Sequence, residues 1–236
     1  MSKKGKLYLI PVPLGESDLL EIPVAVKDLL PQLLHFIAER AKTARHFIKK
    51  MAPAVVLQDL IIEELNEKTT IAEYASFLNP ALAGQSIGLM SEAGCPGVAD
   101  PGANVVALAH KLGIEVVPLV GPSSILLSLM ASGMNGQRFC FHGYLPAKSN
   151  ELPKELRRLE QESIKLNQTQ IFIETPYRNK AMVDTAFQSL APTTRFCIAC
   201  DLTLSTQYIA TYTIADWKKQ KLPDLHKRPA VFLLLG

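Results

Sequence analysis

Three loops rich in glycine and proline hold the residues of this chain best suited to cradling a ligand. Pro11, Pro13 and Gly15 punctuate LYLIPVPLGE, residues 91–102 read SEAGCPGVADPG, and residues 121–124 read GPSS. Each follows directly on a short apolar run of strand character. Small residues in such turns let a ligand reach backbone N–H and C=O groups without obstruction. In open α/β sheets ligands sit outside the carboxyl ends of the strands, where these loops fall. One loop of this kind is an ordinary tight turn. Three in succession point to one crevice.

Other chemistries lack their residues. No G-x-G-x-x-G follows a strand and no G-x-x-x-x-G-K-[ST] occurs, which argues against dinucleotide and nucleoside-triphosphate cradles. His35, His46, His110, His142 and His226 show no metal-ligand spacing, so no metal is expected. Cys95, Cys140, Cys197 and Cys200 all lie in apolar runs. Cys197 and Cys200 form C-x-x-C, but the period of two in a strand sends them to opposite faces of FCIAC. Reduced core thiols are the expectation.

With 236 residues, 48% hydrophobic and 20% charged, the composition is that of a globular protein, and a net charge of +3 neither marks nor excludes a nucleic-acid binder. The opening MSKKGKLYLIPVP has no apolar run of signal-peptide length, and no segment reaches the roughly 18 apolar residues of a membrane span. A cytoplasmic protein without a membrane partner is expected.

Strand-like and helical runs alternate, the mark of α/β architecture. Strands are predicted at 6–12, 33–38, 54–58, 86–91 and 114–118, with a helix over 70–78. A helix opens at Pro101 behind Asp100, presents Val105, Ala109 and Leu112 on one face, and stops at Gly113. The next, over 122–132, is apolar nearly all round and is expected to be buried. Strands at 138–143, 170–174, 195–200, 207–213 and 230–235 follow, with a helix over 151–162 and another opened by Thr175 and Pro176. The last strand is apolar enough to be central. The boundary near VPLVGPSS gives domains over 1–118 and 119–236.

Nearly the whole chain resembles the tetrapyrrole methylase-like (class III) S-adenosylmethionine methyltransferases. The likeness runs through GKLYLIPVPLGE, SEAGCPGVADPG, VPLVGPSS, RFCFHGYLPAKS, IFIETPYRNKAMV, DLTLSTQYI and RPAVFLLLG. The proline-spaced first loop and G-C-P in the second are similar to the branch that 2′-O-methylates cytidine in small-subunit ribosomal RNA, the RsmI type.

That resemblance implies two α/β domains with S-adenosylmethionine in the cleft between them, a homodimer, and ribosomal RNA or the small ribosomal subunit as partner. Implied cofactor contacts are Pro13, Gly94, Cys95, Pro96, Ser123 and Ser124, with Met182, Leu202 and Pro229 as apolar walls. A ribose hydroxyl benefits from a general base. Glu39 and Glu174 are the candidates, each equally readable as a capping or surface carboxylate. Lys148 and Arg178 are candidate RNA phosphate contacts.

Two stretches depart from that branch. GESDLLEIP stands where it carries G-N-L-G-D-I-T, and ERAK, residues 39–42, stands for E-D-T-R. These changes leave open a methyltransferase acting on a tetrapyrrole or other small molecule, or an inactive RNA-binding relative. The basic RHFIKK, residues 45–50, reads as a solvated helix face or an RNA contact.

Overall fold

A computed structural model describes residues 3–66 and 68–236; Met1 and Ser2, which open the amino-terminal stretch read above, and Glu67 lie outside it. The chain forms two compact units, Met1–Ser123 and Ser124–Gly236.

The first unit is built on β1 (Lys6–Ile10), α1 (Val24–Leu29), β2 (His35–Ala38), α2 (Ala41–Met51), β3 (Ile61–Glu64), α3 (Ile71–Phe77), α4 (Asn79–Leu82), β4 (Ile87–Met90), α5 (Gly102–Lys111) and β5 (Glu115–Pro118). Its strands form one parallel sheet in the order β3-β2-β4-β1-β5. Because every strand runs the same way, the turns after β1, β2, β4 and β5 emerge at one edge. Helices cover both faces, so alternate residues enter different cores: Ile10, Phe36 and Met90 pack with α1 and α2, while Leu7, Ile37 and Leu89 pack with α3 and α5. Thr70 starts α3 with a capping box completed by Glu73. Gly113 ends the α5 segment at φ +63°.

The second unit holds α6 (Ser124–Ser132), β6 (Phe139–Tyr144), α7 (Leu152–Leu166), β7 (Thr169–Glu174), α8 (Asn179–Ser189), β8 (Arg195–Cys200), β9 (Tyr208–Thr213), α9 (Ile214–Trp217) and β10 (Ala230–Leu235). Its mixed sheet runs β6-β7-β10-β8-β9, with the wholly buried β10 in the middle. Cys200 lies in the core with Phe196, Phe232 and Trp217, whereas Cys197 lies in that with Leu129, Val231 and Leu233. Both thiols are free, on opposite faces of β8.

Three elements differ from expectation. Residues 54–58 form a turn leading into a 3₁₀ segment, and the strand is Ile61–Glu64, which engages where Ile61 N–H donates to Leu34 O. AVVLQ has the β-forming residues; IIEE has the register. The helix beginning at Ser124 is not buried all round: Leu126 and Met130 are 51% and 78% exposed. Ser128 and Ser132 face inward instead, their hydroxyls satisfied by the carbonyls of Ile125 and Leu129. Thr175 and Pro176 belong to a turn closed by Arg178 N–H on Thr175 O, and α8 starts at Asn179.

Candidate active site

The carboxyl edge of the first sheet gathers the three small-residue loops. Val12 and Gly94 exchange backbone hydrogen bonds of 2.9 and 3.1 Å, joining the loop after β1 to the loop after β4. Gly94 adopts φ +72°, a left-handed conformation that suits glycine. The loop after β5 lies on the first: Leu119 N–H donates to Leu9 O, and Gly121 packs against Pro11. The Cys95 thiol closes the triangle by donating to Pro122 O at 3.4 Å. Pro13, Gly94, Cys95, Pro96 and Ser123 therefore share one edge of one sheet, with Gly94 and Pro96 buried.

Asp100 folds the second loop. Its carboxylate accepts from Gly97 N–H at 2.8 Å and Gly102 N–H at 2.6 Å, joining the loop to α5. Burial raises the Asp100 pKa, and the amides of Gly102, Gly97 and Val98 oppose the rise.

Glu39 follows β2 at the same edge. Its Oε1 accepts from Glu92 N–H at 3.2 Å, so the second loop steers it. Burial raises its pKa; that amide hydrogen bond opposes the shift, Asp100 and Glu92 add to it, and Arg40 works against it. A carboxylate so placed binds a proton more readily than an exposed one, which suits a proton acceptor. Arg40 and Thr43 both approach the Glu92 carboxylate, at 3.9 and 2.6 Å. Beside them opens a cavity of about 220 Å³ walled by Pro13, Gly15, His46, Phe47, Ser91 and Glu92. Thr43 was not singled out from sequence, and nothing in its local pattern separates it from a solvated helix face; Glu92 falls within the second loop and His46 within the basic 45–50 segment, neither with a role of its own there.

In the second unit, Glu174 and Arg178 find each other. The Glu174 side chain is 3% exposed, and its Oε1 accepts from Arg178 Nε at 2.9 Å, Arg178 Nη2 at 2.5 Å and Thr175 N–H at 2.5 Å. Across β10 stands a second pair, Asp201 Oδ2 with Arg228 Nε at 2.7 Å, to which the Thr206 hydroxyl also donates. The strand register brings them close, since Ala230 lies opposite both Glu174 and Cys200. The rule that selected Glu174, a carboxylate ending an apolar strand, would have found Asp201 too.

Leu202 and Pro229 lie in adjoining turns, Asp201 N–H donating to Pro229 O at 3.0 Å. Thr203 beside them holds φ +72°, a costly conformation for a β-branched residue. Met182 is 1% exposed inside the core of its unit. Ser124 opens α6, and the exposed Lys148 pairs with Glu151 at 3.0 Å. Among the described residues, no group of three or more His, Cys, Asp and Glu could hold a metal, and no helix is long and apolar enough to cross a membrane.

The fold has a counterpart among solved structures. The solved structure of the methyltransferase CobJ matches 98% of this chain and 94% of its own at a TM-score of 0.64, with 18% sequence identity. No protein-family model matches. Whole-chain relatives are more specific: the ribosomal RNA small subunit methyltransferase I of Vibrio cholerae is 30% identical over 97% of this chain and 76% of its own. Its counterpart from Xylella fastidiosa is 28% identical over 100% of this chain and 82% of its own. The chain belongs to the ribosomal RNA small subunit methyltransferase I family. It is a methyltransferase.

Proposed function

We propose that this enzyme transfers the methyl group of S-adenosylmethionine to the ribose 2′-hydroxyl of a nucleotide in small-subunit ribosomal RNA. The observation that carries the reading is the joining of three small-residue loops at one sheet edge, through the Val12–Gly94 bridge and the contact of Gly121 with Pro11. The residues there fit the cofactor: glycine and proline expose backbone polar groups, and the carboxylates of Glu39 and Glu92 favour a cationic ligand nearby.

When bound, S-adenosylmethionine supplies a methyl group already activated for transfer. The protein's tasks are alignment and exclusion of water. Pro13, Gly94, Cys95, Pro96 and Ser123 hold the donor. Glu39 takes the proton of the acceptor hydroxyl, a role Glu174 cannot share while it is committed to Arg178. Lys148, at 75% side-chain exposure, is a phosphate contact.

The enzyme acts in the cytoplasm as a homodimer. The apolar side chains of Leu126 and Met130, which α6 turns outward, are surface a second copy would cover. The test of function is transfer of labelled methyl from S-adenosylmethionine into purified small ribosomal subunits. Labelling of a porphyrin or corrinoid precursor instead would move the assignment to a small-molecule acceptor. Failure of S-adenosylhomocysteine to raise thermal stability would mark an inactive relative.

A further inference from the structure

The second unit contains a cavity walled by its own residues. It encloses about 450 Å³ between the 175–178 turn and the segment 221–226, walled by Pro176, Tyr177, Lys180, Lys221, Pro223 and His226. The two walls are fastened together. Lys227 N–H donates to Pro176 O at 3.2 Å, and the buried Asn179 amide donates to Leu225 O at 3.1 Å and to Arg228 O at 2.7 Å. A cavity pinned in this way is preformed, which lowers the cost of binding.

Its lining combines an aromatic ring with the ammonium groups of Lys180 and Lys221 and one carboxylate, Asp224. Tyr177 is 71% exposed, and the His226 ring meets it edge-on with centroids 6.0 Å apart. Edge support from a second ring keeps its orientation while leaving ring surface open. The wall itself is 221–226, KLPDLH, and the run that contains it, KKQKLPDLHKR, is strongly basic on either side. Lys219 pairs with Asp216, and Lys180 with Asp184. Among the described residues Lys221 and Lys227 have no ion-pair partner.

An exposed aromatic ring beside unpaired cations fits an unstacked base and its adjoining phosphates, the recognition mode of single-stranded RNA. We infer that this cavity is an RNA-docking site, where a single-stranded base stacks on Tyr177 while Lys221 and Lys227 meet the backbone. The inference rests on the ribosomal RNA reading above and adds a site to it. Bound here, a loop or flanking strand of the substrate would add affinity without taking part in the chemistry.

The test measures binding of the full-length enzyme to a labelled, mixed-sequence single-stranded RNA of about 12 nucleotides, within the range that one single-strand site covers. Methyl transfer into small ribosomal subunits is followed in parallel. Tyr177→Ala should weaken RNA binding about 5- to 140-fold, the range that loss of one base stack produces. Tyr177→Phe should bind as the natural protein does. Lys221→Glu should lower the slope of log affinity against log salt by about 0.7. In transfer, Tyr177→Ala should raise KM and leave kcat nearly unchanged. All three variants alter exposed side chains, so an unchanged thermal midpoint verifies folding.

Unchanged RNA affinity and KM in Tyr177→Ala and Lys221→Glu, with the natural enzyme still labelling subunits, would overturn the docking site and leave the RNA reading intact. An enzyme that neither binds the RNA nor labels subunits would overturn both. An acidic peptide bound by the natural enzyme and lost in Tyr177→Ala and Lys221→Glu, with RNA affinity unchanged in both, would assign the cavity to a protein partner and overturn the inference.

Discussion

Gly121 lies so close to Pro11 that a Cβ built on it would stand 2.0 Å from the Pro11 Cβ and 2.4 Å from its Cγ. That contact presses the loop after β5 onto the loop after β1. It explains why glycine is needed at 121, where φ imposes no left-handed strain.

Gly121→Ala should therefore be costly. The proline ring is rigid, so the loops must separate, at the roughly 1–3 kcal/mol typical of overpacking. Urea denaturation measures that loss. The variant should also forfeit most of the about 2.7 kcal/mol of stabilisation expected from S-adenosylhomocysteine at 100 times its Kd. Full ligand stabilisation in the variant would place the cofactor elsewhere.

Glu39→Gln should lower methyl transfer by about 10²- to 10⁴-fold, as expected on removing a general base, and leave binding of S-adenosylhomocysteine intact. Activity in the natural enzyme should rise with pH through a value above that of an ordinary glutamate, because burial raises the Glu39 pKa. Stability runs the other way. A raised folded pKa means that the fold binds this proton more tightly than the unfolded chain does. Its contribution is complete below the unfolded pKa and is lost as pH rises through the folded one. Glutamine stays neutral, so both the activity limb and this share of the stability decline should disappear from the pH profiles.

Arg178→Ala should destabilise the protein by about 3 kcal/mol, because it leaves the buried Glu174 carboxylate unpaired. The low end of the buried-pair range applies, since the Arg178 side chain is 36% exposed. Adding Glu174→Gln should recover much of the loss, a coupling that a double-mutant cycle reads directly. If Arg178 served only RNA, stability would stay put and the second substitution would rescue nothing.

Cys197 and Cys200 should resist alkylation in the native enzyme, while the partly exposed Cys140 reacts. Burial pushes the Cys197 thiol up to about 11, so little thiolate exists at neutral pH. Mass spectrometry after iodoacetamide treatment counts the modified sites. Prompt labelling of Cys197 without denaturant would show that β8 opens.

Met130→Lys should convert the proposed homodimer to monomer, seen as a halved mass by light scattering, because it places a charge on the exposed apolar stripe of α6. A natural protein already monomeric at working concentration would remove the dimer from the proposal.

Much of the architecture was legible because it is locally encoded. Strand and helix periods reported which faces are buried, and the small-residue turns marked the carboxyl ends of β1, β4 and β5. The misread elements share a cause. AVVLQ has strand composition, but pairing with β2 begins at Ile61, and pairing depends on the neighbouring strand. In α6, apolar composition all round implied burial, but the sheet covers one side of the helix, and serines could face it once their hydroxyls found local carbonyls.

By itself, the sequence determined the alternation of strands and helices, the loops that expose backbone, and the separation of Cys197 from Cys200 across one strand. Each follows from the fixed geometry of a few consecutive residues. Only the tertiary structure decided how the charges are used: Glu39 steered by Glu92, Glu174 committed to Arg178, Asp201 to Arg228. A carboxylate's chemistry depends on what lies within a few ångströms of it, and strand order, a product of contacts remote along the chain, sets those neighbours.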